Sequence, residues 1–179
     1  MGPGMNGAPE CTPDSLLTPR CQEPYCTNAQ SKGCSKGCLM TTQSDVRDLF
    51  DRWERVWHEG QYDLVPSCVG PHYIRHDESG DRTVTREGYA GELVAIRKDR
   101  PDIRVVVYDH SFTDDRAWFR FAFKWTDPKT GEPRSRAGIQ AYRIEDRKLV
   151  ETWIAMQPLG SAWSDTVAQE RWTSPTPRI

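Results

Sequence analysis

The sequence predicts an α+β domain, with helices first and an antiparallel meander after them. Three observations carry that expectation. Apolar residues recur at spacings of three and four in the first half of the folded part. From Ile103 onward residues alternate or run β-branched, and the first 40 residues lack the composition of a core.

In that leader, residues 1–39 hold five of the six cysteines, five of the thirteen prolines and five of the thirteen glycines, but no Val, Ile, Phe or Trp. Tyr25 is their sole aromatic residue. Such a segment buries too little apolar surface to offset its ordering entropy. Residues 1–40 are therefore expected to be disordered, with Met40 as a candidate natural start. Cys11, Cys21, Cys26, Cys34 and Cys38 leave 9, 4, 7 and 3 residues between them, and four thiolates are in principle enough for zinc. The missing CxxC pair, the missing histidine and the odd count favour disorder over a metal site.

Residues 41–160 are expected to form the domain. Val46, Leu49, Phe50, Trp53, Val56 and Trp57 mark an amphipathic helix over 45–57, with Ser44 as its N-cap and Gly60 just past its end. A short helix around Tyr62–Val65 is expected to stop at Pro66. His72–Asp77 reads as a strand entering a turn at Ser79-Gly80-Asp81. Arg86–Arg100 repeats the helical pattern through Tyr89, Leu93 and Ile96. Ile103–His110 is a β-branched strand, with Asp109 and His110 expected as an exposed pair at its end. Ala117–Trp125 alternates, with Phe119, Phe121, Phe123 and Trp125 on one face and Trp118, Arg120 and Lys124 on the other. The turn Asp127–Gly131 leads to a hairpin of Arg136–Ile144 and Lys148–Gln157 across Glu145-Asp146-Arg147. Residues 161–179 form a Ser/Thr/Pro tail in which Trp163 and Trp172 are the candidates to dock back.

Charge and motifs limit the function. With 24 basic and 26 acidic side chains the net charge is -2, which supplies no basic stripe for nucleic acid. No apolar run approaches the ~18 residues of a membrane span, and the N-terminus lacks an apolar signal segment. A cytoplasmic protein without nucleic-acid or membrane partners is expected. His58, His72, His76 and His110 form no helical i, i+4 pair and no HxH pair, so no metal is expected in the core. No serine sits in a GxSxG elbow and no glycine-rich phosphate loop occurs, which leaves chemistry without a cofactor.

The order of helix, short helix, strand, helix and four strands resembles the NTF2-like cone. It is similar to the SnoaL-like branch of that superfamily, which holds polyketide cyclases and the related steroid isomerases. The carrying residues are Trp57-His58-Glu59-Gly60, Tyr73-Ile74-Arg75-His76-Asp77, Arg100-Pro101-Asp102-Ile103 and the run from Arg143 to Trp153, over roughly residues 44–160. The resemblance implies a curved mixed or antiparallel sheet wrapped against three N-terminal helices. It also implies a mostly apolar pocket at the wide end and a homodimer through the sheet's outer face.

Enolising or cyclising a carbonyl compound needs a base near the acidic C–H and donors to the forming oxyanion. The resemblance puts the isomerases' base at Asp77, their oxyanion acid at Gln140 and their helix tyrosine at Trp53. An amide or an indole donates a hydrogen bond but hands over no proton. The cyclases' last-strand aspartate falls at Gln157, four residues past Trp153. Alternation puts Glu151, Trp153, Ala155 and Gln157 on one face, expected to line the pocket. Val150, Thr152, Ile154 and Met156 then take the opposite face, expected as the dimer surface.

His76 is the second acid–base candidate, but as strand neighbours it and Asp77 cannot both face inward. Asp77 also reads simply as the start of a turn. The surplus of rings points to a flat hydrophobic ligand held by Trp53, Trp57, Tyr73, Phe121, Gln140, Trp153 and Gln157. Arg136 and Lys124 are candidates to serve a carboxylate or phenolate on that ligand, with an exposed-face role favoured. The expected activity is that of a cofactor-independent cyclase or isomerase, or else a dehydratase or epoxide hydrolase, acting by general acid–base catalysis on a hydrophobic polycyclic or terpenoid substrate. The alternatives are ligand binding without catalysis and an interaction role through the outer sheet face.

Overall fold

The structure is a computed structural model that describes Met1 and residues 41–164 and 167–177. The leader, with its expected disorder and its five cysteines, lies outside the described residues apart from Met1. Every described element falls within Gly37–Ile179.

Helix α1 runs Gln43–Glu59. Its N-cap is Thr42 and not Ser44: the Thr42 hydroxyl accepts from the Asp45 N–H, and Asp45 accepts back from the Thr42 N–H at 2.9 Å. That capping box needs an acid three residues past the cap, which Thr42 has in Asp45. Gly60 ends the helix in the left-handed region at φ 70°. A 3-10 turn at Tyr62–Leu64 passes directly into the short helix α2, Val65–Cys68. Pro66 therefore starts this helix instead of stopping one, because a first-turn residue needs no donor.

Strand β1, Val69–Asp77, begins three residues earlier than expected and tolerates Pro71 in an irregular stretch between Val69 and Ile74. A strand absent from the sequence reading follows. Strand β2, Gly80–Thr85, pairs with β1 as a sheet edge, and its one apolar side chain, Val84, gives no period to read. Helix α3, Arg86–Asp99, is capped by Thr85. Strands β3 (Arg104–Phe112), β4 (Arg116–Thr126), β5 (Pro133–Glu145) and β6 (Lys148–Met156) complete the sheet. Asp146 and Arg147 turn the last hairpin at positive φ.

The strand order is β2-β1-β6-β5-β4-β3, antiparallel throughout except where β1 lies parallel to β6. The curved sheet closes over α1, whose Val46, Leu49, Phe50, Trp53 and Val56 are fully buried. Phe50 sits at the centre, within 5.4 Å of the rings of Phe112, Phe119 and Tyr142. Arg97 of α3 donates to the Trp57 and His58 carbonyls at 2.7 and 2.9 Å. That pair answers two orphan acceptors at the end of α1 and holds the two helices together.

Both tail tryptophans dock. The Trp163 indole donates to the Phe121 carbonyl, and the Trp172 indole donates to the Val105 carbonyl at 3.0 Å from a buried position. Asp109 and His110 are not an exposed pair. Asp109 accepts from Thr176, and His110 bonds Gln169, whose N–H caps the Val107 carbonyl. The tail thereby covers the β3 edge, which would otherwise offer unpaired backbone to a second chain.

The two faces of β6 are the reverse of the expectation. Ile154 and Met156 look inward with fully buried Thr152, while Trp153 points out. Alternation separates the faces but does not say which one meets the helices, and both faces of this strand carry apolar residues.

Candidate active site

Trp57 of α1, Ile96 of α3, Ile103, Phe123 of β4, and Ile154 and Met156 of β6 enclose the apolar part of a cavity of about 920 Å³. That volume matches the ~300–1,000 Å³ of small-molecule sites. Trp57 and Phe123 lie with ring centroids 5.7 Å apart, so together they form one aromatic patch of the wall.

One side of the cavity is polar. Arg75 and Asp77, two apart on β1, project to the same face, and the guanidinium meets the carboxylate at 3.1 Å. Arg82 of β2 reaches the same Asp77 oxygen at 3.3 Å. Glu92 of α3 closes the ring, 3.2 Å from Arg75 and 2.6 Å from Arg82. The other Asp77 oxygen accepts the Ser79 N–H at 2.9 Å. Burial pulls the Asp77 carboxyl upward, but Ser79, Arg75 and Arg82 outweigh it and hold the group below the usual range. Asp77 is thus an ionised carboxylate in the cavity wall. Arg75 also lies over the Tyr89 ring, 4.6 Å from its centroid.

Of the residues expected at the site, Asp77, Trp57 and Gln140 line the cavity. Gln140 donates to Thr152 Oγ1 at 2.9 Å, which fixes its amide. Trp53, Tyr73 and Phe121 are fully or almost fully buried and lie outside the lining, as core. Burial pushes the Tyr73 phenol well above its ordinary range, so it stays protonated. Trp153 and His76 stand on the outer face, where the His76 ring lies between the carboxylates of Asp81 and Glu151. Gln157 lies just past β6 and meets Arg136 through its backbone carbonyl at 2.7 Å. Arg136 is not on the exposed face: it lines the cavity and pairs with Glu78. Lys124 does lie outside, near the Tyr108 ring.

Sequence reasoning missed Arg75 and the inward Ile154 and Met156, while Tyr89, one of the surplus rings, does line the wall. The spacing of Arg75 to Asp77 was the available signal, since i and i+2 on a strand share a face.

Solved structures with this cone include an NTF2-like protein from Anabaena variabilis, 10% identical over 72% of this chain and 98% of that one, TM-score 0.55. Others are a SnoaL-like polyketide cyclase from Agrobacterium tumefaciens (18% identity, 63% and 91% of the two chains, TM-score 0.56) and TsrD from Streptomyces laurentii (20%, 64% and 90%, TM-score 0.56). At such identities the likeness establishes the fold, an NTF2-like one. No curated protein matches the chain. Residues 47–162 match the family of SnoaL-like polyketide cyclases, and the chain belongs to that family. Among the described residues, no helix is long and apolar enough to cross a membrane.

Proposed function

We propose that the chain is a cyclase- or isomerase-type enzyme that uses general acid–base catalysis, without a cofactor, on a hydrophobic polycyclic or terpenoid molecule. The observation that carries this reading is the Asp77 carboxylate in the wall of a cavity lined by both apolar and charged side chains, 3.1 Å from Arg75. A substrate C–H next to a carbonyl gives its proton to Asp77, and the bonding pair moves onto the carbonyl oxygen as an enolate. Protonation removes one of the two negative charges that Arg75 faces, Glu92 being the other, so the Arg75 N–H groups that met Asp77 turn to the new oxyanion. Return of the proton at another carbon completes an isomerisation. Attack of the enolate carbon on a second carbonyl, whose oxygen takes the proton from Asp77, completes a cyclisation.

A second reading, ligand binding without turnover, draws on the same carboxylate. Both Asp77 oxygens already accept hydrogen bonds, and its lowered pKa weakens it as a base. Exchange of Asp77 for Asn separates the two once a thermal-shift screen of steroids, anthracyclinone-like polyketides, terpenoid epoxides and aromatic acids has named a ligand class. The enzyme reading expects turnover to fall by ~10²-fold or more, with binding within a few-fold. Unchanged turnover discards Asp77 as the base, and lost folding makes it structural. The reading also includes a cytoplasmic homodimer joined through the outer sheet face, where Trp118, Ile139 and Trp153 stay 39%, 47% and 37% exposed.

A further inference from the structure

The cations along the cavity wall are unequally neutralised. Arg75 faces Asp77, Arg136 reaches Glu78 at 2.7 Å, and Arg134 lies 3.4 Å from Asp127. Among the described residues, Arg100 and Lys129 have no carboxylate partner, and Asp99 is the wall carboxylate without a cation. The wall therefore carries a small positive excess, and Arg100 is the better held of its two free cations. Its guanidinium carbon lies 4.8 Å from the centroid of the Trp125 ring, and Trp125 is itself part of the wall. A guanidinium held over an aromatic ring remains a planar fork of N–H donors that matches the two oxygens of a carboxylate. Pinning against the indole also reduces the rotamer entropy lost on binding. The same cavity wall carries the rings of Trp57 and Phe123, which offer flat apolar surface.

We infer that the cavity takes a planar aromatic anion, with its rings against Trp57 and Phe123 and its carboxylate on Arg100. This rests on the reading of the cavity as a small-molecule site and adds the charge of the ligand to it. A neutral ligand of the same shape would keep the apolar contacts and forgo the charged hydrogen bonds.

The test is calorimetric titration of the full-length chain with anthracene-9-carboxylate and with its neutral isostere, anthracene-9-carboxamide. The carboxylate should bind about tenfold more tightly, the scale of a hydrogen bond to a charged group. Arg100→Gln should bring the two affinities together, and Arg100→Lys should retain part of the difference. Added salt should narrow the gap, because Arg100 is exposed to solvent. Equal affinities in the wild type, or a difference that survives Arg100→Gln, overturn the proposal and leave the cavity reading standing. Binding of neither probe by the wild type overturns the cavity reading together with this one.

Discussion

The imidazole of His76 lies flat on the indole of Trp153, with ring centroids 5.0 Å apart and planes 6° from parallel. This stack stands on the side of the sheet away from the cavity, with the imidazole nitrogens 2.7 Å from Asp81 and 2.9 Å from Glu151. An imidazole donates to two carboxylates at once only when it is protonated.

Glu151 first, and Asp81 after it, raise the His76 pKa above its ordinary value. The stabilisation from this pairing is therefore complete below pH ~6.5 and disappears as pH rises through the raised value. A Glu151→Gln variant should move the His76 titration, followed by NMR of the ring protons, to lower pH. An unmoved titration would show that Glu151 does not set it.

His58 carries the opposite sign. Burial, with help from Arg104 and Arg97, pulls its imidazole down to about 4, and its Nε2 accepts the Val105 N–H at 3.2 Å. The ring is therefore neutral at pH 7, and Glu54, although 3.6 Å away, is no ion-pair partner there. Stability is complete above pH ~6.5 and falls as pH drops toward 4, by at most roughly 3 kcal/mol. Glu54, pushed up by burial and facing Arg171 and Trp172, offsets part of that loss. In urea melts His58→Gln should flatten the slope between pH 7 and 4. An identical slope would assign the effect elsewhere.

Gly138 leaves room for the cavity residue Met156. A methyl group at this position would lie 2.6 Å from the Met156 sulfur and 3.0 Å from the Ala155 carbonyl, so the thioether must swing toward the cavity. Gly138→Ala should cost ~1–3 kcal/mol of stability and weaken any cavity ligand several-fold. Adding Met156→Ala should restore binding. Affinity unchanged by Gly138→Ala would place the ligand away from Met156.

The outer face is tested by charge. Ile139 is 47% exposed on β5, two residues before Ala141, which Trp118 and Trp153 flank on the neighbouring strands. Ile139→Lys should convert a dimer to monomer in light scattering at micromolar concentration, because a cation buried without a partner is costly. A dimer that survives the change uses another surface.

Most of the fold was legible because its elements have strong periods. α1 alternates at three and four, and β4 alternates at two with Phe119 and Phe121 both turned into the core. β2 was hidden by its composition, since an edge strand written Gly-Asp-Arg-Thr-Val-Thr buries almost nothing. The site was legible in part. Asp77, Trp57 and Gln140 reach the wall, whereas Trp53 and Tyr73 stop short of it in the core. A local pattern fixes the direction of a side chain but not the depth at which the cavity begins. The outward turn of Trp153 depends on how β6 sits between β1 and β5, which no local pattern encodes.

The parallel join of β1 to β6 has a consequence for how the chain reaches this state. The second neighbour of β1 is the last strand in the sequence, which begins at Lys148, and Trp172 seals α1 against β3 from further still. During synthesis, α1 and the β1–β2 hairpin emerge long before the partners that bury them. Closing this domain is therefore a late, long-range event at high contact order, slow because of the order of its strands and exposed to aggregation until the C-terminal residues are free.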